Sequence, residues 1–510
     1  MTESIPDSGR TLSRFRVAAI ALFAMLNIAV FLVRALSVWR YGDMFSTGSG
    51  DFLVEYAVWK GMHHLPVYQW PLSYPFSLTL YNFLTYKLYA FVLSSIGAWD
   101  GGILIWGRYL TALFAVVGAL AQWRFMQDRL HLRGPRSLLS LLFALGMWIS
   151  TSMMHYWALT LRPDLPAVAM VMVALWLVVR EPRFGFALAA VFFYLGWAFK
   201  QSAVITLVVV CLWLLLHKRW RPLLILVSAF FALTAATLLL GTAAYRFNVL
   251  TAPRLIHSAF AIPVLWRAAY RPVFTNLYWL AAPLALLLAA GARRMDSAVR
   301  LATLLLVLAL AGGLSGMGTS GGAENYLFEA FVAGSILFQI AVFSVPTRLV
   351  TSLLLVGCVQ PALQLAVIPL GRDMFGTVRL ANASQYANAK SVQARLASLK
   401  KPIFTSDQTF SLPWFSSDDQ APALVIDYLF QARAAQRLER GGLVGLLQRG
   451  DVPTVILERG STYQNHVMDL NPGYTRIGTF LHQGVPFNQD VPYDIYSIEK
   501  PAPVAPVPAR

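Results

Sequence analysis

The sequence is poor in charge and in cysteine. Charged residues make up 13% of its 510 residues, against roughly 25% in an ordinary soluble domain. Hydrophobic residues make up 57%, a balance that excludes a soluble enzyme, a disordered chain and a fibrous protein and predicts a membrane protein with many spans. The two cysteines, Cys211 and Cys358, both lie in apolar runs, so we expect neither a disulfide framework nor a thiolate metal site.

The sequence also lacks a repeat of fixed period, and its acidic residues are few. Its 24 acidic and 41 basic residues give a net charge of +17. Such a surplus suggests nucleic-acid binding in a soluble protein, but in a membrane protein basic residues concentrate in cytoplasmic loops and set the topology. We therefore expect the lipid bilayer as a partner, and no nucleic acid.

Eleven apolar segments follow one another along the first 370 residues. The first covers residues 17–38 and is predicted to be a retained signal anchor, because no small-residue cleavage site ends it. The other ten are centred near Ala115, Leu145, Val171, Phe192, Val208, Val227, Leu286, Leu305, Val332 and Leu354. The predicted fold class is a polytopic α-helical membrane protein with about 11 transmembrane helices.

Basic residues mark one side of these segments. The six segments on the predicted cytoplasmic side hold sixteen Lys and Arg residues, whereas the three short outer links hold only Arg162 and Lys200. By the positive-inside rule the N-terminus lies in the cytoplasm, and an odd number of spans places the C-terminus outside. Two long outer loops, 39–103 and 242–274, are rich in aromatic residues, which favour the membrane interface.

The composition changes near Gly371, after which the chain holds 14 basic and 12 acidic residues. Apolar runs at 402–407 and 454–458 predict buried strands, and 424–436 and 443–449 predict helices. We expect a transmembrane domain over 1–370, a small α/β domain outside the membrane over 371–500 and a disordered Pro/Ala-rich tail over 501–510.

Polar and charged residues cluster in the predicted outer links, although a short link between two spans does not need them. They occupy residues 50–55, 155–157, 161–164, 200–201 and 316–326. A charged group costs roughly 2.5–3.5 kcal/mol at the centre of a membrane helix unless it is paired or hydrated. Because all five clusters lie near one membrane face, they predict a shared, water-accessible cavity that opens outward.

Four of these clusters also have a structural alternative. Arg162 and Asp164 could form an interfacial pair that only orients a helix hairpin. Lys200 could extend to the lipid headgroups, and the glycines of 316–322 could form a flexible turn. Asp51 could cap a helix. The functional interpretation depends on the side that all the clusters share.

In their order along the chain, these motifs resemble those of the GT-C superfamily, integral-membrane glycosyltransferases that use polyprenyl-phosphate sugars. The matching stretches are Gly50-Asp51-Phe52, Tyr74-Pro75-Phe76, Arg162-Pro163-Asp164, Lys200-Gln201 and Glu324-Asn325-Tyr326 followed by Glu329. The resemblance covers residues 15–345 and an α/β tail common in bacterial members. It implies a bacterial inner-membrane protein with a periplasmic cavity, which the lipid-linked donor enters from the bilayer.

The resemblance also implies that Asp51 is the catalytic residue. Many family members carry a second acid very close to the first, whereas Phe52 follows Asp51 here and Glu55 is the nearest acid. This departure counts against a bound divalent metal, which is a possible cofactor that the sequence does not require.

The chemistry of a sugar phosphate ester suggests the remaining roles. A general base takes the proton of the acceptor hydroxyl as it attacks the anomeric carbon, and direct displacement inverts the configuration through an oxocarbenium-like transition state. Arg162 and Lys200 would hold the leaving phosphate, assisted by Arg271 or His257. The predicted sugar- or acceptor-binding residues are Glu55, Tyr74, Asp164, Gln201, Glu324, Asn325 and Tyr326.

A transporter or flippase of a lipid-linked sugar is the alternative function. It predicts polar residues near the bilayer midplane and repeated halves, whereas the mid-span positions are mostly Ala, Leu, Val and Phe. A receptor that does no chemistry would not explain the charges in the short links. The sequence thus favours a transferase that moves a hexose or pentose from polyprenyl phosphate to a glycan, lipid or protein hydroxyl.

Overall fold

The fold is a large helical bundle followed by a small mixed sheet, seen in a computed structural model. The structure describes residues 12–41, 51–74, 76–99, 102–151, 154–256, 260–266, 269, 277–290, 297–319, 324–367, 387, 390–391, 394–395, 398–405, 423–424, 431, 434–460, 469, 471–482 and 491–498.

A helix lies at each of the eleven predicted apolar segments. Their bounds are α1 Arg14–Tyr41, α4 Gly102–Leu130, α5 Gly134–Ser150, α6 Asp164–Arg180, α7 Gly185–Phe199, α8 Ile205–Leu216, α9 Trp220–Leu240, α12 Leu277–Ala290, α13 Ser297–Met317, α14 Phe328–Ser344 and α15 Arg348–Val367. In the described chain, six helical stretches, in α1, α4, α9, α13, α14 with the turn before it, and α15, are long and apolar enough to cross a bilayer. The other five helices have 12 to 17 residues.

Two of these helices show the extremes of burial in the bundle. Every described residue of α14 from Phe328 to Phe343 is buried. In α9 only Leu226 and Phe230 are buried. Both helices are apolar on all sides, as expected of spans, so α14 is surrounded by protein while α9 presents most of its surface outward.

The two predicted outer loops contain short helices. The first holds α2 Asp51–Met62 and α3 Phe83–Ser95; the second holds α10 Ala243–Arg246, a π-helical turn Phe247–Thr251 and α11 Ala252–Ile256. Asn82 is the N-cap residue of α3, and its side chain accepts a hydrogen bond from the amide of Phe83 at 3.1 Å.

A neutral polar network joins three helices inside the bundle. Gln122 of α4 donates to Gln339 of α14 at 2.7 Å and accepts from Trp148 of α5 at 2.8 Å. Ser335 also donates to Gln122, and Gln339 donates to the backbone and hydroxyl oxygens of Ser140. Buried side chains of this kind hold helices together where water cannot compete.

The C-terminal region forms a five-stranded sheet in the order β2-β1-β3-β5-β4. The strands are β1 Ile403–Thr405, β2 Ala423–Leu424, β3 Thr454–Glu458, β4 Thr475–His482 and β5 Val491–Ser497. Strand β1 pairs in parallel with β2 and β3, whereas β5 runs antiparallel to β3 and β4. A short helix, α16 Gly442–Gln448, precedes β3.

These strands test the secondary structure predicted for the tail. The predicted strands at 402–407 and 454–458 correspond to β1 and β3, and the predicted helix at 443–449 corresponds to α16. The helix predicted at 424–436 is wrong at its start, because Leu424 lies in strand β2 and pairs with Phe404 of β1. The predicted domain boundary at 370/371 and the tail 501–510 lie outside the described residues.

One face of the sheet packs on the outer loops. A single buried apolar cluster contains Phe76 and Leu78 of the first loop, Ala252 and Ile256 of the second, and Val455 of β3. The amide of Glu439 donates to the carbonyl of Leu72 at 2.8 Å. The C-terminal domain therefore contacts the first loop and shares one apolar core with residues of both loops.

Candidate active site

The centre of the charged cluster is Asp164, the first residue of α6. Its carboxylate forms an ion pair with Lys200 and lies 3.3 Å from Nε of Arg162. Nδ2 of Asn325 donates to Oδ1 of Asp164 at 2.7 Å. The Asp164 side chain is 2% exposed, whereas Arg162 and Lys200 are each 12% exposed.

Helix geometry explains why these residues meet. Helices α6 and α7 are joined by residues 181–184 and pack against each other, so the start of α6 and the end of α7 lie at the same end of a hairpin. Asp164 begins α6 and Lys200 follows the last residue of α7. A carboxylate at a helix N-terminus and a cation at a C-terminus also suit the helix dipoles.

Aromatic rings surround the Arg162 guanidinium. Its carbon lies 4.8 Å from the ring centre of Trp157 and 5.7 Å from that of Tyr81. Arg162 also donates to the Tyr81 hydroxyl, and Trp157 donates to Glu324 at 3.1 Å. These contacts fix the plane of the guanidinium, since arginine stacks on aromatic faces and donates in a rigid fork.

Lys200 lies over another ring. Its Nζ is 5.1 Å from the ring centre of Tyr326. A Cβ at Gly316 would lie 2.5 Å from Cδ1 of Tyr326, and one at Gly313 would lie 2.6 Å from the Tyr326 carbonyl. At least these two glycines on α13 therefore make room for Tyr326, which places its ring beneath the Lys200 ammonium.

Two neighbouring polar residues have separate partners. Nε2 of Gln201 donates to the carbonyl of Leu80 at 2.8 Å. Glu329, buried in the first turn of α14, accepts from both the amide and the hydroxyl of Thr206 at 2.5 Å. Glu329 thus joins α14 to α8, next to the charged cluster.

Several predicted site residues lie elsewhere or outside the described chain. Glu55 is buried in α2, one turn after Asp51. Tyr74 is 46% exposed, and its ring lies 6.2 Å from that of Phe76. Asp51 is the first residue of α2, but its side chain is outside the description. His257 and Arg271 also fall outside the described residues.

Two further residues at or near this end of the bundle were not predicted as site residues from the sequence. Tyr81 appeared only as one aromatic residue of a loop, yet its hydroxyl contacts Arg162. Arg108 lies within the apolar run of α4 and is fully buried. An arginine inside a predicted span is itself a signal of function or of a buried pairing, so Arg108 could have been noted from the sequence.

The charged cluster lies at one end of the bundle. Helix α6 has 17 residues, so its ends are about 25 Å apart at 1.5 Å per residue. At the far end Arg180 lies 3.9 Å from Asp128, and both side chains are substantially exposed. Among the described residues, no group of three or more His, Cys, Asp or Glu side chains could hold a metal ion.

Two solved structures share this architecture. Both are of ArnT from Cupriavidus metallidurans. The structure bound to undecaprenyl phosphate has a TM-score of 0.56 and 12% sequence identity; the apo structure has a TM-score of 0.57 and 11% identity. Each comparison covers 92% of this chain and 97% of the ArnT chain.

This likeness spans the bundle and the C-terminal domain alike. It confirms the prediction of a multi-pass helical fold with a small C-terminal α/β domain. No protein-family model and no curated protein sequence matches the chain. At such low identity the ArnT structures establish the fold alone.

Proposed function

We propose that the protein is a membrane glycosyltransferase that moves a sugar from a polyprenyl-phosphate donor to an acceptor hydroxyl on the outer side of a bacterial inner membrane. The observation that carries this proposal is the cluster in which Arg162 and Lys200 share one carboxylate, Asp164. The fold shared with ArnT, which has been solved with undecaprenyl phosphate bound, supports the choice of donor.

The two cations suit a phosphate group. Arg162 and Lys200 both pair with Asp164, and each of the two cationic side chains is 12% exposed. Arginine binds phosphate oxygens in pairs, and lysine supplies a compact charge. Charge developing on the leaving phosphate would be stabilised by groups already in place, which is an efficient form of catalysis.

Two amide oxygens nearby suit sugar hydroxyls. Within the described residues, neither Oδ1 of Asn325 nor Oε1 of Gln201 accepts a hydrogen bond. Both oxygens are buried, and because a buried acceptor without a partner is costly, a ligand hydroxyl that reaches either oxygen would relieve that cost. Both amide nitrogens are engaged, which fixes the direction in which the oxygens point.

The proposed reaction is a single displacement. The acceptor oxygen forms a bond to the anomeric carbon as the bond from that carbon to the phosphate oxygen breaks. Asp51 takes the hydroxyl proton, and polyprenyl phosphate leaves with the electron pair. Asp51 begins α2, and Glu55, Tyr74, Glu324 and Tyr326 are proposed to line the sugar or acceptor site, with His257 and Arg271 assisting the phosphate.

The test is direct measurement of transfer. Purified protein in liposomes is incubated with polyprenyl-phosphate hexoses and pentoses and with glycan, lipid and protein acceptors, and products are identified by mass spectrometry. Asp51→Asn should abolish transfer while donor binding persists. Asp128→Asn, the same change at a residue of α4 that lies near the far end of α6, should leave transfer intact. Normal turnover by Asp51→Asn would remove Asp51 from the mechanism.

Transfer and transport can be separated in the same liposomes. A transferase yields a glycosylated acceptor and free polyprenyl phosphate, whereas a flippase moves the intact donor between leaflets without a new product. Movement of the donor with no product in any acceptor set would refute the transferase proposal and favour the alternative.

A further inference from the structure

The first outer loop contains an extended segment, residues 76–81, that we call the strap. It belongs to no helix or strand. Its side chains alternate between two environments: Phe76, Leu78 and Leu80 enter the apolar cluster with the C-terminal domain, whereas the residues between them make polar contacts on the other side. This period of two is that of an extended chain, in which successive side chains point to opposite sides.

The apolar side of the strap is covered by the C-terminal domain. Phe76 and Leu78 are 1% and 2% exposed. Their cluster includes Val455 and Leu457 of β3 and Leu443 of α16. The intervening residue of β3, Ile456, belongs to a separate apolar cluster, so only one face of the sheet holds the strap.

The polar side of the strap faces the membrane domain. Nζ of Lys60 in α2 donates to Ser77 at 3.1 Å, and the hydroxyl of Thr79 donates to the carbonyl of Val67 at 3.0 Å. The last strap residue, Tyr81, accepts a hydrogen bond from Arg162. The strap therefore connects the C-terminal domain to the charged cluster through one short piece of chain.

The backbone of the strap is strained where the domain holds it. Phe76 has a φ of 60°, in the left-handed region that a bulky residue adopts only at a cost. A strained conformation persists only where its surroundings hold it. The burial of the Phe76 ring in the apolar cluster provides such a constraint.

We propose that the C-terminal domain is part of the catalytic unit, and that Phe76 and Leu78 are positioning residues that hold the strap so that Tyr81 orients the Arg162 guanidinium. This inference rests on the proposed transferase function. It assigns the domain a mechanical role in donor binding. Separation of the domain from the strap would loosen Arg162 without changing any residue of the charged cluster.

A double-mutant cycle tests the coupling. Leu78→Ala and Tyr81→Phe should each lower kcat/KM for the lipid donor about tenfold, a change of about 1.4 kcal/mol, because a loosened Arg162 holds the donor phosphate and its developing charge less well. Leu78→Met, which keeps the volume, should restore kcat/KM. Because both changes act on Arg162, the double variant should be no worse than the poorer single variant. Effects that multiply, or a Leu78→Met variant as poor as Leu78→Ala, would overturn the proposal.

A second measurement needs no substrate. Val455→Ala and Ile456→Ala shorten neighbouring β3 side chains on opposite faces of the sheet. Hydrogen exchange of a peptide spanning 77–82 should be faster in Val455→Ala than in Ile456→Ala. Equal exchange in the two variants would overturn the coupling whatever the activity. Absence of transfer by the wild-type protein would instead refute the proposed function, and the exchange result would still decide whether the domain holds the strap.

Discussion

Two buried polar clusters in the helical bundle are built on different principles. The neutral network of Gln122, Ser140, Trp148, Ser335 and Gln339 comes from positions inside helices, and its amides and hydroxyls bond to one another. The charged cluster of Arg162, Asp164, Lys200 and Asn325 comes from helix ends and the links between them.

The difference separates a structural network from a binding site. In the neutral network, the Gln122 carbonyl accepts two hydrogen bonds and its amide donates one, which leaves little capacity for a ligand. In the charged cluster two cations share one carboxylate, and both remain partly exposed. Polar burial in a membrane bundle therefore indicates function where ionised groups meet at converging helix ends.

The largest effect should come from Asp164→Asn, which breaks the charged cluster. Arg162 and Lys200 would then lie close together without their shared carboxylate, and loss of one partner of a buried ion pair costs about 3–5 kcal/mol. We expect a lower midpoint of thermal unfolding in detergent and a loss of transfer of more than about 100-fold. Asp128→Asn is the matched control, because Asp128 is 40% exposed. Equal behaviour of the two variants would contradict the assigned difference.

The next largest effect should come from Lys60, a buried lysine outside both clusters. Lys60 is 1% exposed, and its Nζ bonds to a carbonyl and a hydroxyl. Burial lowers the pKa of Lys60 to about 7, below the roughly 10.4 of an unfolded chain. The unfolded state thus binds more protons between these values, so stability should rise with pH across that window, by up to about 1.4 kcal/mol per unit.

Thermal unfolding at pH 7.5 and 9.5 measures the contribution of Lys60 to the pH dependence of stability. The wild-type protein should gain about 2–3 kcal/mol from Lys60 over two pH units, and Lys60→Met should lack that gain. The two proteins are compared at each pH so that other titrating groups cancel. Parallel curves would show that Lys60 keeps an ordinary pKa.

Gly316→Ala should disturb the charged cluster indirectly, through the ring of Tyr326 that contacts Lys200. Alanine normally stabilises a helix relative to glycine, but here its Cβ would lie 2.5 Å from the Tyr326 ring. Overpacking of this kind costs about 1–3 kcal/mol, and it should displace the ring beneath Lys200 and weaken donor binding. Gly312→Ala is the control, because its Cβ would meet only the flexible end of Ile205 at 3.0 Å. A stabilised and fully active Gly316→Ala would refute this role.

The smallest effect should come from the neutral network. Gln339→Leu removes the acceptor of Gln122 and the donor to Ser140. Hydrogen bonds between membrane helices contribute about 0.6–1.7 kcal/mol, so the midpoint of unfolding should fall slightly. Donor KM should not change. A changed KM would mean that the two clusters are coupled and that the distinction between them is wrong.

The sequence predicted the helices well, because each span carries a long apolar run. It also predicted that Arg162, Asp164 and Lys200 share one face, since topology alone brings the ends of α6 and α7 together. The contact of Tyr81 with Arg162 could not be predicted from the sequence, because that contact depends on the path of the strap between two domains. The role of Asp51 in the mechanism stays a prediction.

Strand β5 was not predicted, and its sequence shows why. Its apolar pattern is interrupted by Asp494, a charged residue in the middle of the strand that is 1% exposed and bonds to Arg459 at 2.8 Å. A carboxylate normally indicates a surface position, and Asp494 can be buried because Arg459, just after β3, and Arg476 of β4 both pair with it. Pairing between distant segments of this kind leaves no local signal.

The complete burial of α14 has a consequence for how the protein is made. Ser335 and Gln339 would face acyl chains if this helix entered the bilayer alone, and polar side chains there are costly. Their partners lie in α4 and α5, which are synthesised about two hundred residues earlier. We therefore expect α14 to insert against α4 and α5 after these helices have packed together, so that its polar side chains find their hydrogen-bond partners as it enters the bilayer.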